Sequence, residues 1–301
     1  MLVAPVLLLL AGAAGVQARE SPLPPRAQEV RGRVDRILED WRGHPEKHPT
    51  EKLAQELASL GGAAAGYLGE LLDSQRATAP TEGLAMALGR IGGSAVVPPL
   101  ARLCRSSVDT ERIAAIRGLR LVKLPESVAA IVPALDDAAL DVALEAEEAL
   151  VSSGVRAAEI VECVRRELQK AKDPTRFACV LGRVGGEEAH SVLIGLLGSR
   201  GDEKKIAAMQ GLWLLGLGED GEAVLGVLRD ATSEPVLKQA SQLLGRLRYR
   251  RAVPSLIRLL RFEDPAVVSS AHWALCRIAD LNLKPDPSLW QQWWELEGRN
   301  D

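Results

Sequence analysis

The chain has 301 residues, of which 37 are basic and 40 acidic, so its formal net charge is -3. This balance argues against a nucleic-acid partner, because a basic footprint is the usual first sign of nucleic-acid binding. Hydrophobic residues make up 47% of the chain and charged residues 26%, which excludes a disordered protein. The apolar content comes from Leu, Ala and Val rather than aromatic residues, and this favours packed helices over strands.

The first 18 residues contain no charged side chain, and an apolar run from Val6 to Ala14 precedes the small-residue ending Val16–Ala18. This pattern predicts a signal peptide cleaved after Ala18, although the usual basic start is missing. The apolar run is shorter than the roughly 20 residues that span a bilayer. We therefore expect an exported protein, periplasmic or extracellular, with no membrane span in the mature chain.

Residues 19–49 are predicted to form a proline-containing linker and an N-terminal cap helix. Val30, Val34, Ile37 and Leu38 fall on one face of that helix, together with Trp41. A terminal helix that covers the apolar edge of the first unit is what a repeat array needs for solubility.

An internal repeat organises residues 50–280. The segment Leu88–Gly93 returns as Leu181–Gly186, at an offset of three times 31 residues. The intermediate steps form a column of leucines with spacings of 31, 31, 31, 34, 29 and 31: Leu88, Leu119, Leu150, Leu181, Leu215, Leu244 and Leu275. Such regularity predicts about seven units of two helices each.

Glycine, proline and acidic residues mark the ends of the predicted helices. Glycine pairs such as Gly92–Gly93 and Gly185–Gly186 end first helices, because glycine adopts the left-handed conformation readily. Proline is expected near the start of second helices, where its missing N–H is tolerated. The examples are Pro98, Pro133 and Pro254. Acidic residues before a proline are predicted to cap the next first helix, as at Asp173, Glu234 and Asp264.

The segments Ala87–Gly92 and Val180–Gly185, with the repeat spacing, resemble the short bacterial type of HEAT repeat that is related to phycobilisome lyases. The resemblance covers roughly residues 50–280. It implies an all-α, right-handed α-solenoid whose concave face binds another macromolecule. In that family the second helices line the concave side.

Residues 281–301 are predicted to close the stack. Trp290, Trp293 and Trp294 lie within five residues, with Trp290 and Trp294 on one helical face. Packing against the last repeat is favoured over an exposed aromatic platform, because an uncapped repeat edge must be covered.

Few residues suggest catalysis, and no catalytic residue, metal or cofactor is predicted. His44 and His48 are four residues apart, but Pro45 and Pro49 place them in a loop without further metal ligands. The four cysteines fit small buried apolar residues, and Cys163 with Cys179 is the single pairing considered.

Two enzyme classes share this repeat type. HEAT-like hydroxylases bind two irons through His-Glu dipeptides, and no such dipeptide occurs here. A lyase or isomerase that holds a small ligand such as a tetrapyrrole is the alternative to a non-enzymatic scaffold. The scaffold, which binds a protein or peptide partner along the concave face, is the preferred function.

Charge is distributed unevenly along the chain. Residues 126–162 contain nine acidic and one basic residue, whereas residues 229–261 contain eight basic and two acidic residues. Opposite fields in two parts of the solenoid would orient a partner. Six arginines on second helices are the predicted partner contacts: Arg102, Arg105, Arg165, Arg166, Arg258 and Arg261.

Four other arginines, at positions 90, 183, 246 and 277, occupy matching turn positions and form a predicted ladder. A structural role is favoured for them, in which the stem covers apolar surface and the head bonds helix-end carbonyls.

Overall fold

The computed structural model of the protein describes residues 25–47, 49–74, 80–216 and 220–298. These residues form 17 α-helices and no strand, which confirms the all-α prediction. The predicted signal peptide, residues 1–18, and His48 lie outside them. The helices are α1 (Pro25–Gly43), α2 (Thr50–Ala58), α3 (Gly62–Ser74), α4 (Thr81–Ile91), α5 (Val97–Leu103), α6 (Asp109–Val122), α7 (Pro125–Ile131), α8 (Leu140–Val151), α9 (Ala157–Leu168), α10 (Thr175–Val184), α11 (Glu187–Leu197), α12 (Asp202–Leu215), α13 (Gly221–Asp230), α14 (Glu234–Arg246), α15 (Val253–Leu259), α16 (Pro265–Ala279) and α17 (Pro287–Trp293).

The helices stack in two rows, as a HEAT-like solenoid requires. Even-numbered helices, α2 to α16, form the row of first helices, and each contacts the even-numbered helix before and after it. Odd-numbered helices form the row of second helices, packed on the other side of one continuous apolar core. The predicted solenoid is confirmed by this sequential pairing, while its handedness stays a prediction.

Glycines bring some neighbouring first helices unusually close together. A Cβ on Gly89 or Gly182 would collide with the carbonyl oxygen of Gly118 or Gly211 in the next first helix. Neighbours in the row of second helices share far fewer close contacts. The first helices are therefore packed against one another more closely than the second helices are. The expectation that the second helices line the concave side stays a prediction.

The leucine column runs through the core with one change of register. Six of the seven predicted leucines are fully buried, but Leu215 is only half-buried. In α12 the equivalent position belongs to Leu212, which is 1% exposed and follows Gly211 as Leu119 follows Gly118. Leu215 was predicted wrongly because it lies three residues further on, on the same helical stripe.

Most of the predicted helix ends are confirmed. Gly92, Gly93, Gly185 and Gly186 all have positive φ angles where α4 and α10 end. Pro133 differs from the prediction: it lies in a 3-10 turn after α7, which begins at Pro125. Because proline has no backbone N–H to donate, α7 ends at Ile131, two residues before Pro133.

The predicted acidic cap is confirmed for α16, whereas Asp173 bonds to the first residue of α10 from one position before its N-cap. The carboxylate of Asp264 accepts a hydrogen bond from the backbone N–H of Val267 at 2.8 Å, and that of Asp173 accepts one from Thr175 at 2.9 Å. Glu234 is instead the first residue of α14 and makes no cap.

Both ends of the stack are covered by helices, as predicted. Val34 and Leu38 of α1 are buried against the first unit, and the Tyr67 hydroxyl donates to Asp35 at 2.7 Å. Burial, followed by this hydrogen bond, raises the pKa of Tyr67 to about 12. At the other end Trp290 is fully buried, with the Trp293 ring edge-on to it at a centroid distance of 5.6 Å. The tryptophan helix therefore packs, as favoured.

Candidate functional site

An open groove crosses the row of first helices between α10 and α16. Two adjoining depressions, of about 450 and 390 Å³, share Gln242 and Arg246 in their walls and form one continuous groove. Trp213 lies in the wall nearer α12 and Trp273 in the wall formed by α16. We call this surface the Trp213–Trp273 groove. The sequence prediction did not include it.

The tryptophans of the groove are accessible to a partner. Trp213 is 49% exposed and Trp273 is 40% exposed, although large aromatic side chains normally bury most of their surface. Leu214, beside Trp213, is also 40% exposed. Exposed aromatic side chains in the walls of a groove are typical of binding sites.

Arg246 lies over one of these rings. Its guanidinium carbon is 3.9 Å from the centroid of Trp213, close enough for a cation–π interaction. No acidic side chain within the described segments forms an ion pair with it, and no hydrogen bond to it is present there. The structural role predicted for this ladder arginine, bonding to helix-end carbonyls, is therefore not what Arg246 does.

The same face carries ion pairs in the preceding repeats. Arg117 donates to Glu82 at 2.7 Å and to Glu145 at 3.0 Å, which links three successive first helices. Arg183 donates to Glu147 at 3.1 Å and to Glu148 at 2.8 Å. Three carboxylates of the acidic stretch of residues 126–162 thus pair with arginines of first helices, so the predicted separation of charge along the sequence is partly compensated in space.

In the groove, glutamine side chains occupy the repeat position that Glu148 holds in an earlier repeat. Glu148, Gln210 and Gln242 each precede a buried column leucine by two residues and are therefore equivalent. The Oε1 atom of Gln210 is buried and has no hydrogen-bond partner in the structure. A buried acceptor without a donor is costly.

The six arginines predicted as partner contacts lie on the opposite row and do not converge. They belong to α5, α9 and α15 or to the turns that follow them. Arg102 donates to Asp73 at 2.6 Å, and Arg165 and Arg166 both donate to Glu162. Arg105, Arg258 and Arg261 are exposed, with Arg258 donating to the hydroxyl of Ser255 at 3.0 Å. Their contact with a partner stays a prediction.

In the described residues, the Sγ atom of Cys276 lies 3.4 Å from the Nε2 atom of His272 within α16. All four cysteines lie there, are free and are half-buried, so the considered Cys163–Cys179 disulfide is not formed. Burial raises the pKa of Cys104 to about 12. The ring of His272 is 2.7 Å from the carbonyl oxygen of Leu283, and no group of three or more potential metal ligands occurs in these segments.

Comparisons with known proteins add little beyond the fold. No protein-family profile matches the sequence, and no curated protein is significantly similar to it. Human deoxyhypusine hydroxylase aligns over 85% of this chain and 98% of its own, with 18% identity and a TM-score of 0.35. An engineered protein aligns over 77% and 71%, with 23% identity and a TM-score of 0.36. The CpcE–CpcF complex of phycocyanin lyase from Nostoc aligns over 95% and 99%, with 16% identity and a TM-score of 0.31.

These TM-scores are too low to support any argument about function. The chain is a HEAT-repeat-like helical protein on the evidence of its own paired helices and repeat register. Among the helices of the described segments, none combines the length and apolar character needed to cross a bilayer.

Proposed function

We propose that the protein is a non-enzymatic scaffold that binds a protein or peptide partner at the Trp213–Trp273 groove, on the row of first helices. The observation that carries this proposal is the pair of half-exposed indoles in the walls of one open groove. Tryptophan and arginine dominate the energetically important positions of protein interfaces. The six arginines of the second helices are proposed as a separate, weaker contact surface.

Export is part of the same proposal and has its own support. It rests on the uncharged apolar start and the small-residue ending at Val16–Ala18. The native protein is expected to begin at Arg19. If protein sequencing of the native material finds Met1 at its start, export through this segment is wrong.

The binding proposal is tested by comparing captured proteins. Immobilised wild type and the double variant Trp213→Ala/Trp273→Ala are incubated with the native envelope extract, crosslinked and compared by quantitative mass spectrometry. Loss of two interface tryptophans is expected to reduce capture of the specific partner by about 30-fold or more. The matched control is Leu140→Ala/Leu144→Ala, which removes exposed apolar surface from α8 outside the groove.

The outcomes separate a scaffold from an enzyme. Equal capture by the wild type and the double variant would place the binding site elsewhere. A purified native protein that carries a bound chromophore, visible in its absorbance spectrum, would instead support the tetrapyrrole-holding alternative.

A further inference from the structure

The four ladder arginines, at positions 90, 183, 246 and 277, differ in how their charge is compensated. Arg90 forms an ion pair with Glu51, and Arg183 with Glu147 and Glu148. Glu148 and Arg183 are 35 residues apart, and the equivalent pairs are Gln210 with Arg246 and Gln242 with Arg277. Over the described residues neither of these last two arginines has a carboxylate partner. An amide therefore stands where the earlier repeat has the neutralising carboxylate.

The geometry leaves the guanidinium of Arg246 available to a ligand. One face of it stacks on Trp213, while its in-plane N–H groups have no acceptor in the described part of the chain. Arginine carries five donors and no acceptor, and its planar edge matches a carboxylate with two parallel hydrogen bonds. A cation that already stacks on an indole has lost part of its side-chain freedom, so less entropy is lost on binding.

The surroundings favour a peptide carboxylate over a phosphate backbone. A nucleic acid needs several cations along a track, whereas this groove combines Arg246 with two indoles and three glutamines, at positions 210, 239 and 242. Glutamine amides both donate and accept hydrogen bonds, which suits the alternating N–H and C=O groups of an extended backbone.

We propose that Arg246 binds the carboxylate of an acidic residue in an extended segment of the partner protein, and that apolar residues flanking it pack on Trp213 and Trp273. This inference rests on the proposed function and specifies the chemistry of the partner. In it, the glutamines at positions 210 and 242 act as backbone contacts. Because these glutamines are uncharged, they do not compensate the charge of Arg246, which can then pair with the ligand carboxylate.

The test begins with random dodecapeptides displayed on phage and selected on the full folded chain. Wild type is expected to enrich sequences with one acidic residue between apolar residues. Selection on Arg246→Gln should retain the apolar preference and lose the acidic one. Peptides enriched without any acidic preference would overturn the carboxylate proposal alone. Failure to enrich any peptide over the Trp213→Ala/Trp273→Ala variant would instead contradict the proposed groove function.

The best selected peptide then gives a quantitative answer. Replacing its acidic residue by the corresponding amide is expected to weaken binding to wild type by about tenfold and binding to Arg246→Gln by less than about twofold. Gln210→Glu supplies the internal carboxylate found in the earlier repeat and is expected to weaken binding of the acidic peptide as Arg246→Gln does. The control Arg156→Gln, an exposed arginine just before α9 that belongs to neither proposed surface, should bind like wild type.

Circular dichroism of each variant shows that it is folded before binding is interpreted. Equal weakening of the acidic and amide peptides by Arg246→Gln would overturn the inference, because the arginine would then act without contacting the carboxylate. A labelled single-stranded DNA 20-mer that binds more tightly than the peptides, and depends on Arg246, would also overturn it.

Discussion

Arg183 and Arg246 occupy equivalent positions on the row of first helices, yet one is held by two glutamates and the other lies on an indole. From α4 to α10 this face links its own repeats through ion pairs such as Arg117 with Glu82 and Glu145. From α12 to α16 the equivalent carboxylates are absent and an open groove takes their place. The same repeat backbone thus carries two different surfaces. In one region carboxylates of neighbouring repeats compensate the arginine charges, and in the other the ladder arginines have no carboxylate partner among the described residues.

The difference between the two regions lies on the surface and not in the packing beneath them. The leucine column continues below both regions, and its buried members include Leu88 and Leu181 in the first and Leu244 and Leu275 in the second. Since a solenoid is stabilised by contacts between neighbouring repeats, this core keeps the two regions in one array. Surface substitutions should therefore change binding in the second region with little effect on folding.

The largest predicted effect tests that shared core at the start of the groove region. Leu212→Ala is expected to lower the free energy of unfolding by about 2–5 kcal/mol, because it leaves a cavity among fully buried neighbours. Leu215→Ala, the control at the half-buried neighbouring position, should cost clearly less. Urea unfolding followed by circular dichroism measures both. A greater loss for Leu215→Ala would contradict the register assigned to α12.

The second largest effect tests the close packing of α10 against α12, where the two regions meet. A Cβ on Gly211 would lie 2.6 Å from the carbonyl oxygen of Ala178, so Gly211→Ala must move one helix. We expect a loss of about 1–3 kcal/mol in the free energy of unfolding. Gly195→Ala, in α11, has open space around the new Cβ and should gain about 0.5–1 kcal/mol from helix propensity. If Gly211→Ala stabilised the protein, α10 and α12 could not be tightly packed at this position.

A third, smaller effect separates the two regions by their electrostatics. Arg117 is 41% exposed, so water screens its two ion pairs, and Arg117→Gln is expected to cost about 0.5–1 kcal/mol at low salt. The loss should shrink at about 1 M salt. Arg246→Gln should change stability by less than about 0.5 kcal/mol at either salt concentration. The same urea experiments measure this, and a large salt-dependent loss for Arg246→Gln would reveal an internal partner.

Sequence periodicity was sufficient for the fold because each unit repeats the same local signals. The column leucines, the glycine pairs after α4 and α10, and the buried Trp290 all follow from patterns within one or two helical turns. Leu215 was misplaced because Leu212 and Leu215 lie on one stripe, and the close contact of Gly211 with α10 is not visible locally.

The groove escaped prediction for a different reason. The groove is formed by first helices of successive repeats, and its shape is set by packing between residues more than 30 positions apart. A signal was nevertheless present in the repeat register: the position of Glu148 is held by Gln210 and then Gln242, while arginine follows at positions 183, 246 and 277. Comparing neighbours across repeats, rather than counting charges along the chain, would have exposed the missing carboxylates.

The smallest predicted effect is a change in the alkylation rate of a cysteine, which reports the region that a ligand covers. Cys179 lines the groove, whereas Cys163 lies on α9 in the other row, and both are half-buried and free. Burial raises the pKa of each thiol above its ordinary value, so the reactive thiolate is scarce at neutral pH and alkylation accelerates as pH rises toward and beyond 9. A saturating selected peptide should slow alkylation of Cys179 by about threefold or more, measured by mass spectrometry of the labelled sites. The rate at Cys163 should stay unchanged, because that thiol lies across the core from the groove. Equal protection of both cysteines would point to a general tightening of the solenoid, and protection of Cys163 alone would assign the ligand to the second helices.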